Sequence, residues 1–123
     1  MDTLEESPCE TFRVERRGEV DWLTLDRPAA LNAMNARMIA ELAEYFAARV
    51  HDTATRVIVL RATGKAFCAG LDLREMTGVI EELDTAARLR FQQRLSSIFV
   101  SMRRCPQPIV CLVQGAASGG GFA

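Results

Sequence analysis

A chain of 123 residues, 49% hydrophobic and 25% charged, has the make-up of one ordinary globular domain. Its formal net charge of −1 gives no basic surplus for nucleic acid or an anionic membrane, and no apolar run is long enough to span a bilayer. Four cysteines (Cys9, Cys68, Cys105, Cys111) and a single histidine, His51, lack metal-ligand spacing, so no metal site is expected.

The acidic N-terminus, Met1 to Glu10, lacks a signal-peptide pattern, and a cytoplasmic chain with reduced thiols is the expectation. Residues 1–10 read as a disordered or loosely attached segment. From Thr11 to Arg16 apolar and polar residues alternate, which predicts a half-buried strand. Arg17-Gly18-Glu19 is a turn and Val20 to Leu25 alternates again, so the two strands form a hairpin. Asp26-Arg27-Pro28 ends it, because Pro28 cannot donate to a ladder.

A loop over Ala29 to Met34 leads to Asn35, a side chain suited to an N-cap. The helix that follows runs to about Val50, with Met38, Leu42, Tyr45, Phe46 and Val50 on its core face. His51 is read as a solvated helix-end residue, where the helix dipole favours its cation. Arg56 to Ala62 predicts a buried strand. Asp72 to Met76 is a short helical piece and Thr77 to Leu83 a mobile connection.

Asp84 caps a long helix to about Arg104, with Phe91, Leu95, Ile98, Phe99 and Met102 as its apolar stripe. Its other face carries Arg88, Arg90, Arg94, Arg103 and Arg104, read either as a solvated face or as a phosphate contact. Cys105-Pro106-Gln107-Pro108 stops the helix, with Cys105 and Cys111 assigned to core packing. Ile109 to Val113 is a further strand. Strands alternating with helices predict an α/β layered fold.

Two stretches carry the chemistry. Lys65-Ala66-Phe67-Cys68-Ala69-Gly70-Leu71-Asp72-Leu73 follows one buried strand, and Gly115-Ala116-Ala117-Ser118-Gly119-Gly120-Gly121 follows another. Each brings bare backbone to an expected helix start, where N–H groups lack intrahelical partners and carry partial positive charge. Two such turns converging on one oxygen atom would make the skeleton of an oxyanion hole. Neither stretch is the dinucleotide fingerprint or a phosphate loop. Cys68 is a candidate nucleophile without an evident basic partner. Ala117-Ser118-Gly119 resembles a nucleophile elbow but has no credible histidine partner.

Three segments together resemble the N-terminal half of the crotonase family, the enoyl-CoA hydratase/isomerase superfamily. They are Trp22 to Pro28 with Leu31-Asn32-Ala33-Met34, Val57 to Met76 through Lys65 to Leu73, and Pro108 to Ala123, in family order over nearly all of residues 11–123. The resemblance implies an α/β spiral of ββα units, here an incomplete N-terminal portion, in relatives that are homotrimers or hexamers. It implies an acyl-CoA thioester as ligand, with CoA as part of the substrate rather than a separate cofactor, and hydration or isomerisation as the reaction.

By motif position the resemblance assigns the thioester oxygen to the backbone N–H groups of Ala69 and Gly120. It places Ala69, Gly70, Leu71 and Asp72 along the CoA and acyl path, with the loop containing Arg27 and Ala33 beside CoA. Where hydratases of the family carry a catalytic glutamate, two residues after the glycine run, this chain has Ala123. The sequence stops at Gly121-Phe122-Ala123, where a helix is expected to begin, so a fragment or a truncated product is also expected. A catalytically inactive acyl-CoA binder is one alternative. The other is a serine hydrolase like the Clp-type peptidases, which share the superfamily fold, with Ser118 as nucleophile.

Overall fold

The computed structural model describes residues 9–123; most of the segment expected to be disordered, residues 1–8, lies outside the described residues. The alternation at the start of the chain forms the hairpin it predicts. Strands β1 (Phe12–Arg17) and β2 (Val20–Leu25) pair antiparallel in the register Phe12 to Leu25 and Arg17 to Val20. Asn35 caps helix α1 (Ala36–Arg49), its side chain accepting from the Met38 amide.

Strand β3 (Val57–Ala62) then lies parallel to β2. A three-residue strand β4 (Ala66–Cys68) leads to helices α2 (Leu73–Glu81) and α3 (Thr85–Arg104). The chain ends with β5 (Ile109–Cys111), β6 (Ala116–Ala117) and a 3-10 turn at Gly119–Gly121.

The main sheet has the order β1-β2-β3-β5, with β2, β3 and β5 mutually parallel, and β4 pairs with β6 in a separate two-stranded ladder. One face of the main sheet carries Phe12, Leu23, Leu25, Ile58 and Leu60, all buried. Met38, Ile39, Leu42 and Phe46 of α1 and Ile98 of α3 cover it and complete the core. Burying side chains of this size stabilises by about 1.5–3 kcal/mol each. Between α1, α3 and the end of the chain lies an apolar cavity of about 460 Å³, which reaches Gly120 and Gly121. The opposite face of the sheet is mixed, with Val20, Val57, Val59 and Val110 beside charged side chains, and there Trp22 lies between the guanidiniums of Arg17 and Arg61, each 4.6 Å from the ring centroid.

Several expectations are revised. Thr77 to Glu81 is helical, not a loose connection. Asp72 caps α2 by accepting from the Arg74 and Glu75 amides, Met76 is buried beneath it, and the Thr77 hydroxyl bonds back to the Leu73 carbonyl. Cys111 is exposed, because β5 is the edge of the main sheet, while Cys105 is half-buried as assigned. The last strand is shorter than Ile109 to Val113, although the Leu112 amide still donates to the Leu60 carbonyl. The strands β4 and β6 were not anticipated.

Candidate functional site

The stretch from Ala66 to Asp72 runs between two partners. On one edge it meets the loop after β2, which Asn32 fixes in place. Asn32 is fully buried at φ 55°, a left-handed conformation that asparagine tolerates better than most residues. Its Nδ2 donates to the Thr63 and Ala66 carbonyls at 2.8 and 3.0 Å, and its Oδ1 accepts from the Arg27 amide at 2.7 Å. The Ala69 amide donates to the Leu31 carbonyl at 3.1 Å, the Met34 amide to Gly70 at 2.7 Å, and the Asp72 amide to Met34 at 2.9 Å. On the opposite edge β4 pairs with β6, and the Ser118 amide donates to the Cys68 carbonyl at 3.0 Å.

These two edges bring the predicted loops together. Gly70 has φ 95°, and a Cβ added there would lie 2.8 Å from the Ser118 carbonyl oxygen and 3.5 Å from the Gly120 nitrogen. Only glycine permits both that conformation and that approach. Gly121 is held as tightly, since a Cβ on it would lie 2.1 Å from the Cys68 carbonyl oxygen. Beneath them Cys68 is buried. Burial pushes its thiol up from the ordinary range, opposed by the Gly70 amide that donates to its sulfur. A raised, buried thiol is a poor nucleophile.

The Ala69 amide is engaged by Leu31, so it is not available to a ligand. Leu71 differs. The Gly70 carbonyl and the Asp72 amide both face Met34, and backbone groups alternate in direction along an extended chain, so the Leu71 amide faces the other way. Neither the Leu71 nor the Gly120 amide has an acceptor among the described residues.

Arg27, Ala33 and Asp72 also meet, but around one another. The Arg27 guanidinium donates to the Ala33 carbonyl and pairs with Asp72 Oδ2 at 3.2 Å and Glu75 Oε2 at 2.9 Å. Its side chain is 16% exposed and that of Asp72 only 8%. Ala33 is itself buried. These residues brace the site instead of lining an open path. Glu75, absent from the predicted site residues, completes the cluster.

Ser118 is exposed, and its side chain makes no capping bond to the turn it precedes. His51 lies before β3, whereas Gly70 and Ser118 lie beyond the far ends of β3 and β5. The length of β3, about 20 Å at the usual rise per residue, separates the two ends. His51 therefore cannot serve as a base for Ser118. The arginines of α3 (Arg88, Arg90, Arg94, Arg103 and Arg104) are all exposed. Among the described residues no helix is long and apolar enough to cross a membrane.

The fold defines a mixed α/β chain in which two parallel strands each lead through a short strand into a small-residue loop, the loops meeting at Gly70 and Gly120. Residues 15–123 match the family described as enoyl-CoA hydratase/isomerase, and the chain belongs to that family, part of the crotonase superfamily. It is 37% identical over 113 residues to a protein named "Probable enoyl-CoA hydratase" from Rhodobacter capsulatus, covering 90% of this chain and 41% of that one. It is 36% identical over 103 residues to 1,2-epoxyphenylacetyl-CoA isomerase of Escherichia coli, covering 80% and 38%. The crystal structure of an enoyl-CoA hydratase from Shewanella pealeana superposes with a TM-score of 0.85 at 29% identity, over 94% of this chain and 43% of that one. The chain thus spans about two-fifths of the length of these relatives.

Proposed function

We propose that the chain holds an acyl-CoA thioester for hydratase- or isomerase-type chemistry, the thioester oxygen accepting from the Leu71 and Gly120 amides. The observation that carries this reading is the meeting of the two loops at Gly70 and Gly120, with those two amides left without acceptors. Buried or half-buried donors left unpaired cost stability, and a ligand oxygen that accepts from both recovers that cost. As the thioester gains enolate or tetrahedral character its oxygen gains charge, and two fixed donors favour that state over the ground state.

Leu71 replaces Ala69 as the first donor, and Gly120 keeps the role the family resemblance gave it. Gly70 then serves by letting the loops approach. The relatives' names point to CoA thioesters in more than one reaction, so the reading extends to the thioester and not to a particular acyl group. Assembly as a homotrimer or hexamer and a cytoplasmic location belong to the same reading.

Calorimetric titration with hexanoyl-CoA and with its thioether counterpart, S-hexyl-CoA, tests the oxygen contact directly. The thioester is expected to bind about tenfold more tightly, the effect of two modest hydrogen bonds. Gly120→Pro, which removes the donor, is expected to erase that preference. Gly120→Ala keeps the donor and displaces only the flexible end of Met34, whose Cε lies 2.4 Å from the added Cβ, so it should retain the preference. Equal affinity of the two ligands for the unmodified chain would refute the contact.

One observation favours a second reading, an acyl-CoA binder without turnover. Ala123 supplies no carboxylate where the family resemblance expects a catalytic glutamate, and the nearby carboxylates of Asp72 and Glu75 are paired with Arg27. General acid–base catalysis needs a positioned group with a proton to move. Binding of hexanoyl-CoA with no hydration of crotonyl-CoA would select this second reading.

A further inference from the structure

We propose that Arg27 is a positioning residue that sets how strongly the site polarises a thioester, acting through the backbone around Leu71 and not by contact with the ligand. This rests on the thioester reading above. The Leu71 amide lies on a short segment with two supports. One is the backbone ladder to Leu31 and Met34; the other is the start of α2. Arg27 ties both supports together.

Its main-chain amide is held by Asn32, and its guanidinium reaches the Ala33 carbonyl on the ladder side. The same guanidinium reaches Asp72 and Glu75 on the helix side. Asp72 in turn caps α2 through the Arg74 and Glu75 amides, and its own amide is bonded to Met34. Leu71 sits between Gly70, whose carbonyl accepts from Met34, and Asp72, which Arg27 holds directly, while Ala33, the residue before Met34, is held by the same guanidinium. A planar guanidinium can serve three acceptors in fixed directions at once, which lysine cannot. Preorganised donors act on developing charge only if they hold their aim, and small misplacements weaken them sharply.

The probe is 4-(dimethylamino)cinnamoyl-CoA, whose long-wavelength band moves to the red when its thioester carbonyl is polarised. With the unmodified chain a red shift is expected on binding. Arg27→Gln is expected to reduce that shift by about half or more, with affinity for S-hexyl-CoA changed less than about threefold, because the geometry is lost and not a ligand contact. Arg27→Lys should give an intermediate shift, since it can keep one ion pair.

Should Arg27→Gln not fold, Glu75→Gln, at the exposed end of the clamp, is expected to give a smaller loss of the same sign. An Arg27→Gln or Glu75→Gln variant with a full red shift overturns the clamp while leaving the thioester reading intact. A weakened affinity for S-hexyl-CoA with a full red shift would make Arg27 a CoA contact instead. No red shift with the unmodified chain would overturn the thioester reading, and the clamp with it.

Discussion

The two ends of the main sheet are closed by opposite means. Where β2 and β3 begin, side chains do the closing. Asp21, 4% exposed at its side chain, accepts from the Tyr45 hydroxyl at 2.6 Å and pairs with Arg16 and Arg49, each at 3.3 Å. Arg49 also pairs with Asp52 at 2.9 Å, and the Thr55 hydroxyl bridges Asp52 and Arg16. Burial pushes the Tyr45 phenol up, and its bond to Asp21 pushes it further. Where the same strands end, backbone and glycine do the closing, and two amides are left without acceptors. The first end is a dense side-chain network in which charges are paired, with Arg49 Nε and the adjoining Gln107 Oε1 its unpartnered buried atoms among the described residues. The second gives up part of its hydrogen bonding, which is what a site for an external oxygen requires.

Substitutions that damage each end separately should break this contrast in different ways. The largest effect is expected for Asn32→Ala, which leaves the Thr63 carbonyl and the Arg27 amide without their partner and the Ala66 carbonyl with Gln114 alone. A loss of about 4 kcal/mol by urea denaturation is expected, together with loss of the preference for thioester over thioether. Asp21→Asn should cost about 3 kcal/mol, since Arg16 and Arg49 lose a buried counter-charge, while the thioester preference stays intact. An Asp21 variant that also lost the preference would show that the two ends are coupled.

The smallest effect is one of pH. Burial would raise the Asp52 carboxyl, but the Thr55 hydroxyl, the Ala54 and Thr55 amides and the Arg49 charge outweigh it, so it is held below its ordinary value of 3.8. A folded-state value below the unfolded one contributes stability that is complete above the unfolded value and lost as pH falls through the folded one. The urea midpoint should therefore decline as pH falls below about 4, and Asp52→Asn should flatten that decline.

Much of the fold was legible because its elements are long enough to show a period. The alternation in β1 and β2, the caps Asn35 and Asp84, and the stripes of α1 and α3 are local facts, and the structure keeps them. The strands β4 and β6 were not legible, being three and two residues long and composed mostly of small side chains. They exist because they pair with each other across the fold. The extent of α2 was obscured by Gly78, which sits in a helix with open space around it.

The same division runs through the candidate site. The two glycine loops could be read directly. Which amide remains without an acceptor could not be read, because it depends on Leu31 and Met34, far away in sequence. Arg27 was placed beside CoA by family resemblance, but its partners Ala33, Asp72 and Glu75 come together only in three dimensions.

The parallel pairing of β3 with β5 has a consequence for the order of assembly. The β1–β2 hairpin closes over a two-residue turn, but β5 can join β3 only after α2 and α3 have crossed back. Closing long loops costs entropy before any contact returns it, so such pairings form late and slowly. Val110 and Leu112 reach β3 only across that crossover, and both are exposed. The meeting of the Gly120 loop with Gly70 spans the same long crossover and carries the same entropic cost.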